Sequence, residues 1–276
     1  MSQYRFSSTL HYTPAEITEM QNVTFSGYFF PQTMTPEMAA EVWRCYDVDM
    51  VHTVVMHSLN LAFVGLARLA LRGWRGWCGG FGIVPRYRGT GASTHLAERM
   101  IYKAREAGLK TIQLEVLHQN IPAQKLYKRV GFETLRQLLS VEIATKALPE
   151  SPALEVEELD PERLFPWVAF DVRPSWQREL ASIATLKSRA YTLAGKRFDR
   201  PTGLITERRK AHLRILAAIN HTALTDGELL ALLRHAAGDA VGIQLINEPE
   251  ESALLRRCRD FGFFDVFGQY EMFLTL

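Results

Sequence analysis

The stretch RYRGTGAST, from Arg86 to Thr94, constrains this chain most, because it joins an apolar, strand-like run ending at Pro85 to a helix-like period that begins near Gly91. A small-residue loop at a strand-to-helix turn points several backbone N–H groups into one concavity, and the helix dipole adds positive potential there. Glycine is required where a side chain would block a ligand's oxygens. Arg86 and Arg88 add charge-assisted contacts. The expected ligand is a phosphate or pyrophosphate. Two common phosphate loops are excluded. A Walker A loop needs GK followed by Ser or Thr, whereas Ala92 follows Gly91; a dinucleotide fingerprint needs a third glycine where Thr94 stands.

The surrounding pattern predicts an α/β arrangement. TPAE at Thr13 and TPEM at Thr35 read as capped helix starts with proline at the first helical position. VHTVVMHS, LAFVGLARLALR and WRGWCGGFGIVP read as three strands separated by short turns. A helix follows from Gly91 to about Gly108, then a strand in TIQLEV, a second helix capped by Asn120 and closed near Gly131, and a last strand from Phe132 to about Ile143. With 276 residues, two domains are the default expectation. The boundaries expected are 1–145, a Pro-containing linker at 146–155, and 156–276.

The second half partly repeats the first. TIQLEV recurs as GIQLIN and VGF as FGF, and both matches share one offset of 131, which points to duplication. Adding 131 takes Arg86 to Ala217, Gly89 to Asn220, Gly91 to Thr222, Glu115 to Ile246, Asn120 to Glu251 and Tyr127 to Cys258. No loop or catalytic residue type survives that shift. The second copy is expected to be degenerate, serving structure, pocket closure or dimerisation.

Taken together, two motifs resemble those of the GCN5-related N-acetyltransferase (GNAT) superfamily. RYRGTG matches its acetyl-CoA loop, with Arg86, Gly89 and Gly91 in the defining places. Asn120, Ala123, Leu126, Tyr127, Gly131 and Phe132 match its NxxAxxLYxxxGF signature without a gap, 29 positions after Gly91. The resemblance covers roughly Tyr4 to Ile143. It implies two α/β (α+β) domains of GNAT type, each a mixed, mostly antiparallel twisted sheet flanked by helices. The sheet would be splayed between its fourth and fifth strands, CGGFGIVP and TIQLEV. Acetyl-CoA would enter the split as co-substrate, its pantetheine arm along Phe81, Ile83 and Val84 and its pyrophosphate on the amides of Arg88, Gly89, Thr90, Gly91, Ala92 and Ser93. Arg86, Asn120 and Tyr127 complete the expected cofactor set.

Acetyl transfer to an amine needs a base, an oxyanion donor and an acid for the leaving thiolate. An alkylamine, with a pKa near 10 by analogy with lysine, must lose a proton to react at neutral pH. Glu115 is the candidate base; as a bare strand residue it serves equally to pair a neighbouring arginine. Tyr127, at its family position, is the candidate acid. A backbone N–H near Ile83 or Val84 is the expected oxyanion donor. Cys78 invites an acetyl-cysteine intermediate, but no histidine stands beside it in the sequence, and a small core residue is the preferred reading. For the acceptor, Tyr28 and Phe29 offer apolar walls, and Asp47 and Asp49 offer anionic partners.

These expectations describe an N-acetyltransferase acting by direct attack in a ternary complex on a small-molecule or peptide amine. The alternative is a non-catalytic acetyl-CoA sensor or scaffold, which would keep the loop and lose the acid and base. A formal net charge of +2 gives no global reason to expect nucleic acid, and the basic stretch from Lys187 to Arg214 reads as the solvated face of a strand meander. The three cysteines, Cys45, Cys78 and Cys258, form no CxxC pair and suggest neither a disulfide framework nor a zinc site; no metal is expected. No apolar run of membrane-spanning length and no secretory leader is legible, so cytoplasmic residence without a membrane partner is the expectation.

Overall fold

The structure, a computed structural model, describes residues 3–195 and 199–276. The chain packs into two compact units, Met1–Leu135 with Tyr270–Leu276, and Arg136–Gln269. Residues 136–145 therefore lie in the second unit rather than with the first half, and residues 270–276 lie in the first.

The first unit begins with β1 (Tyr4–Ser8), α1 (Pro14–Thr24) and α2 (Pro36–Cys45). Thr13 Oγ1 accepts from the Glu16 amide while Glu16 Oε2 accepts from the Thr13 amide at 2.7 Å, the reciprocal capping that the TPAE segment predicts. Next come β2 (Val48–Ser58), β3 (Phe63–Arg72) and β4 (Arg75–Ile83), an antiparallel meander. After α3 (Ala92–Glu106), β5 (Thr111–Leu117) and α4 (Ile121–Arg129) complete the unit, with sheet order β1-β2-β3-β4-β5. Leu96, Met100 and Ala104 of α3 pack on Leu69, Ile112 and Leu114 of the sheet. Each large side chain buried there contributes about 1.5–3 kcal/mol.

One pairing positions the site. β4 and β5 run parallel and pair only at Arg75–Trp77 with Thr111–Gln113. Beyond Trp77 the two strands part, so the split expected between the fourth and fifth strands is present.

The second unit carries most of β6 (Glu133–Ala144), then β7 (Val156–Leu159), the short α5 (Leu180–Ile183), β8 (Ser188–Leu193), β9 (Gly203–Arg209), β10 (His212–Ile219), α6 (Asp226–Ala237), β11 (Gly242–Pro249), α7 (Ala253–Asp260) and β12 (Phe264–Thr275). β12 ends in the first unit. Within the second unit the sheet order is β6-β11-β10-β9-β8-β7. The basic stretch from Lys187 to Arg214 is indeed a meander, β8 to β10; its residues Lys196 and Arg197 lie outside the described residues.

The duplication is visible in geometry, with one correction. β10 and β11 also pair in parallel over only three residues, His212–Arg214 with Gly242–Gln244, and Gly131 and Gly262 end α4 and α7 at φ +100° and +93°. The offset of 131 holds for β5 and β11, but β4 and β10 differ by 137. Arg75 matches His212 by pairing, and the bulge residue Gly79 matches Leu216. The reason is a crossover six residues shorter, three of them in the helix, since α3 has 15 residues and α6 has 12. Ala217 is consequently a strand residue of β10, not a loop residue. The true counterpart of the glycine loop is Asn220–Thr225, which still contains neither glycine nor arginine.

In the second unit the split is bridged by the chain itself. Arg178 Nη1 donates to the carbonyl of Ile215 on β10 at 3.1 Å, and its Nε lies 2.9 Å from Glu248 Oε2 on β11. Ser252 Oγ donates to the other Glu248 oxygen at 2.5 Å. Arg178 and Glu248 are both buried, and deleting one partner strands a buried charge at a cost of about 3–5 kcal/mol. Glu248→Ala is accordingly expected to lose that much unfolding free energy in urea titration. A loss below about 1 kcal/mol, typical of exposed pairs, would show that the pair does not hold the strands.

Candidate active site

The loop at the end of β4 has the geometry that an anion site needs. Gly89 and Gly91 have φ of +76° and +87°, and a Cβ at either position would meet no atom within 4 Å. Both glycines therefore serve backbone conformation, not close packing. Among the described residues, the amides of Gly89, Thr90, Gly91, Ala92 and Ser93 donate to no backbone carbonyl. They open the N-terminus of α3, where the helix macrodipole adds positive potential. Thr90 Oγ1 donates to the Tyr87 carbonyl and tightens the turn, and Ala92 is buried beneath it.

The two arginines divide. Arg86 is exposed, its guanidinium carbon 5.2 Å from the Tyr87 ring centroid. Arg88 instead donates through Nε to the Ile83 carbonyl at 3.0 Å and through Nη2 to the carbonyls of Thr24 and Ser26 at 3.1 and 3.0 Å. It ties the end of β4 to the end of α1. That side chain is engaged with main chain, and the Arg88 amide donates to the Pro85 carbonyl at 3.1 Å, so neither its guanidinium nor its amide is the anion donor expected from the sequence.

Backbone direction along β4 separates the two expected oxyanion donors. The Val84 amide donates to the Val64 carbonyl at 2.9 Å, whereas Ile83 is the adjacent, non-hydrogen-bonded position of the antiparallel pair. By alternation, the amides of Ile83 and Phe81 point away from β3, toward the side where β5 has diverged. The Val84 amide is engaged within the sheet, and Ile83 is the one of the two left as a candidate.

Tyr127 sits on α4 with only 6% of its surface exposed. Its ring meets Phe81 edge-on, with centroids 5.7 Å apart, and lies 5.7 Å from Phe132. Its hydroxyl makes no hydrogen bond to any described residue. Burial, reinforced by Cys78 and Tyr28, raises that hydroxyl well above the usual phenol range, so it is protonated at neutral pH. Tyr28, from the segment after α1, hydrogen-bonds the Asn120 side chain, and burial raises its hydroxyl as well. Asn120 also caps α4 by accepting from the Ala123 amide. Its side chain is thus a structural clamp between the α1–α2 segment and α4.

Glu115 projects from β5 and accepts a hydrogen bond from Trp77 Nε1 at 2.7 Å. Cys78, the next residue along β4, is buried near Glu115 and near Arg68 of β3. Burial pushes its thiol up to about 12, the Glu115 carboxylate acts in the same direction, and the Arg68 guanidinium opposes it. A neutral, buried thiol is a poor nucleophile. Cys78→Ala is expected to keep most of its turnover in a steady-state assay; a collapse would restore the acetyl-cysteine route. Cys45 and Cys258 are likewise buried and outside any disulfide among the described residues.

Two of the acceptor candidates lie with other partners. Asp47 Oδ2 accepts from Arg72 Nε at 2.7 Å, and Asp49 Oδ1 accepts from the His52 amide at 2.7 Å and lies 2.9 Å from His52 Nδ1. Asp49 caps an irregularity where β2 slips register against β3, and Asp47 stands at a turn with φ +58°. Both are explained by local structure. Tyr28 does reach the site, and Phe29 stacks edge-on against it at 5.2 Å with an exposed face.

Sequence reasoning missed Trp77 and Arg68. Arg68 on β3 is fully buried; Nη1 donates to Gln21 Oε1 at 2.8 Å and Nη2 to the Gly79 carbonyl at 2.5 Å. Burial lowers its guanidinium to about 10. The signal was the CGGFG run itself. A Cβ at Gly79 would lie 2.1 Å from the Trp77 ring, and one at Gly80 would lie 2.5 Å from the Arg68 guanidinium. Those glycines make room for two large side chains that shape the bulge.

Residues 15–132 match the sequence model of the Acetyltransferase (GNAT) family. The match covers less than half of the chain and lies within the first unit. No curated protein sequence matches the chain. Solved structures extend the likeness in fold over both units. A GCN5-related N-acetyltransferase from Sphaerobacter thermophilus is 16% identical, with a TM-score of 0.68 over 100% of this chain and 96% of its own. A tandem GNAT protein from the clavulanic acid biosynthesis pathway is 16% identical, with a TM-score of 0.66 over 99% and 98%. A GCN5-related N-acetyltransferase from Anabaena variabilis is 17% identical, with a TM-score of 0.57 over 98% and 72%. The chain therefore shares its fold with these proteins over both units. Among the described residues, no helix is long and apolar enough to cross a membrane, and no three His, Cys, Asp or Glu side chains are grouped to hold a metal ion.

Proposed function

We propose that the first unit transfers an acetyl group from acetyl-CoA to a primary amine by direct attack within a ternary complex. The observation that carries this reading is the parting of β4 from β5 beyond Trp77. It leaves the amides of Phe81 and Ile83 facing an opening that Glu115 and Tyr127 approach from β5 and α4. The residues present suit acetyl-CoA. Unengaged amides from Gly89 to Ser93 and the exposed Arg86 would hold its pyrophosphate, and the β4 edge would hold its pantetheine arm.

Acetyl-CoA supplies a thioester whose acyl carbon is open to a nitrogen nucleophile. Glu115 takes the proton that the ammonium must lose, directly or through one water. The Ile83 amide donates to the acyl oxygen as it gains negative charge. When the new C–N bond has formed and the C–S bond breaks, Tyr127 donates its proton to the departing sulfur. Its raised hydroxyl makes it a neutral donor throughout the physiological range.

The second unit plays no chemical part in this reading. Its loop lacks glycine, Ile246 and Cys258 stand where Glu115 and Tyr127 do, and Arg178 bridges its strands. Release of free thiol from acetyl-CoA, followed across peptide, lysine, aminoglycoside, polyamine and small metabolic amines, tests the assignment. Turnover with one class is expected. A thermal shift with acetyl-CoA but no thiol release for any amine would replace the enzyme by an acetyl-CoA-binding protein.

A further inference from the structure

We infer that Trp77 is a positioning residue for the base: its indole N–H orients Glu115 and favours the carboxylate form, and the glycine at position 79 exists to let it do so. The inference rests on the reading of Glu115 as the base. It is carried by four observations of geometry within the first unit.

Trp77 is the last residue of β4 that pairs with β5, its partner being Gln113, so its side chain shares a face with Gln113 and Glu115. Its Nε1 reaches Glu115 Oε2 at 2.7 Å, the short distance of a charge-assisted bond. Its ring is fixed on two sides. Tyr46 packs edge-on at 5.6 Å, and the Gly79 backbone lies so close that a Cβ there would sit 2.1 to 2.6 Å from three ring carbons. Finally, Trp77 is only 4% exposed, although a buried indole N–H must find an acceptor. The ring therefore has one orientation, and that orientation aims its donor at the candidate base.

The consequence follows from the direction of the bond. A donor to a carboxylate stabilises the ionised form over the neutral one. Among the described residues, the charged or titratable groups of this unit near the pair include Tyr46 against the Trp77 ring, Cys78, with Arg68 behind it on β3, and Glu271, which accepts from Gln113 Nε2 at 3.0 Å. The neutral Cys78 thiol carries no charge at working pH, and the Trp77 N–H is a donor that favours the Glu115 carboxylate.

The test is a pH profile of kcat/KM for Trp77→Phe, which keeps an aromatic ring and deletes the N–H. A hydrogen bond to a charged group is typically strong enough to move an acid limb by about one pH unit. The acid limb is expected to rise by that much, with kcat/KM falling about tenfold at pH values below the limb and coenzyme A affinity retained. Gly79→Ala, which displaces the ring without removing it, is expected to move the same limb in the same direction. Because either change could disturb packing, Trp77→Phe is repeated in the Glu115→Gln background. There it should cost almost nothing further, since the carboxylate it orients is gone. An equal loss in both backgrounds, or an unshifted limb in Trp77→Phe beside a normal Glu115→Gln defect, overturns the role of Trp77. An unchanged rate and profile in Glu115→Gln itself removes the base, and the inference with it.

Discussion

Tyr127→Phe should lower kcat by about 10²–10⁴-fold, the usual worth of a positioned general acid, while acetyl-CoA binds as before. The substitution keeps the ring, so the edge contact with Phe81 and the packing on Phe132 survive. It removes one oxygen that makes no hydrogen bond to any described residue, so no native interaction is broken. The loss must then appear in the chemical step. Steady-state kcat and equilibrium titration of coenzyme A separate the two. A mutant as fast as the wild type would take the acid role from Tyr127, and a mutant that failed to bind coenzyme A would make the hydroxyl a binding group.

Glu115→Gln is expected to reduce kcat/KM by a similar factor, about 10²–10⁴ near neutral pH, with a distinctive shape. An alkylamine titrates near pH 10, so in the mutant the reactive free amine grows about tenfold per pH unit below that value. The defect should be deepest at low pH and shrink as pH rises toward 10. Trp77 Nε1 can still donate to the glutamine oxygen, so the side-chain position is preserved. A pH profile parallel to that of the wild type would assign proton removal to another group or to a chain of waters.

How far the sequence anticipates these residues depends on what each one's partner is. The glycine loop and the NIPAQKLYKRVGF segment were legible because their requirements are local. Positive φ at Gly89, Gly91 and Gly131 and the cap at Asn120 depend on neighbours within a few positions. The split was implied by a family resemblance, since nothing in a strand's own residues says where its partner leaves it. Arg88 was misread for the opposite reason. A guanidinium beside a glycine loop suits a phosphate or an unpaired carbonyl equally well, and the carbonyls it found belong to Thr24 and Ser26, more than sixty residues away.

The same logic accounts for the other departures. Asp47 and Asp49 looked available because Arg72 and the β2 irregularity are invisible without the register. The duplicated halves kept their spacing from β5 onward but not across the crossover, where α6 is three residues shorter than α3. An ungapped offset therefore placed Ala217 in a loop when it lies in a strand. The last strand gave no local sign of the unit in which its end would lie. Its apolar residues suit a core position in either, yet Met272 packs in the first unit beside Leu114 and Tyr127.

A crystal structure with coenzyme A bound shows whether the first unit alone takes the cofactor. One coenzyme A per chain is expected. Its pyrophosphate should lie on the amides of Gly89 to Ser93, and its thiol near Tyr127, with Arg178 still joining Ile215 and Glu248 in the second unit. Coenzyme A between β10 and β11, or a pyrophosphate held away from the Gly89–Gly91 turn, would contradict it.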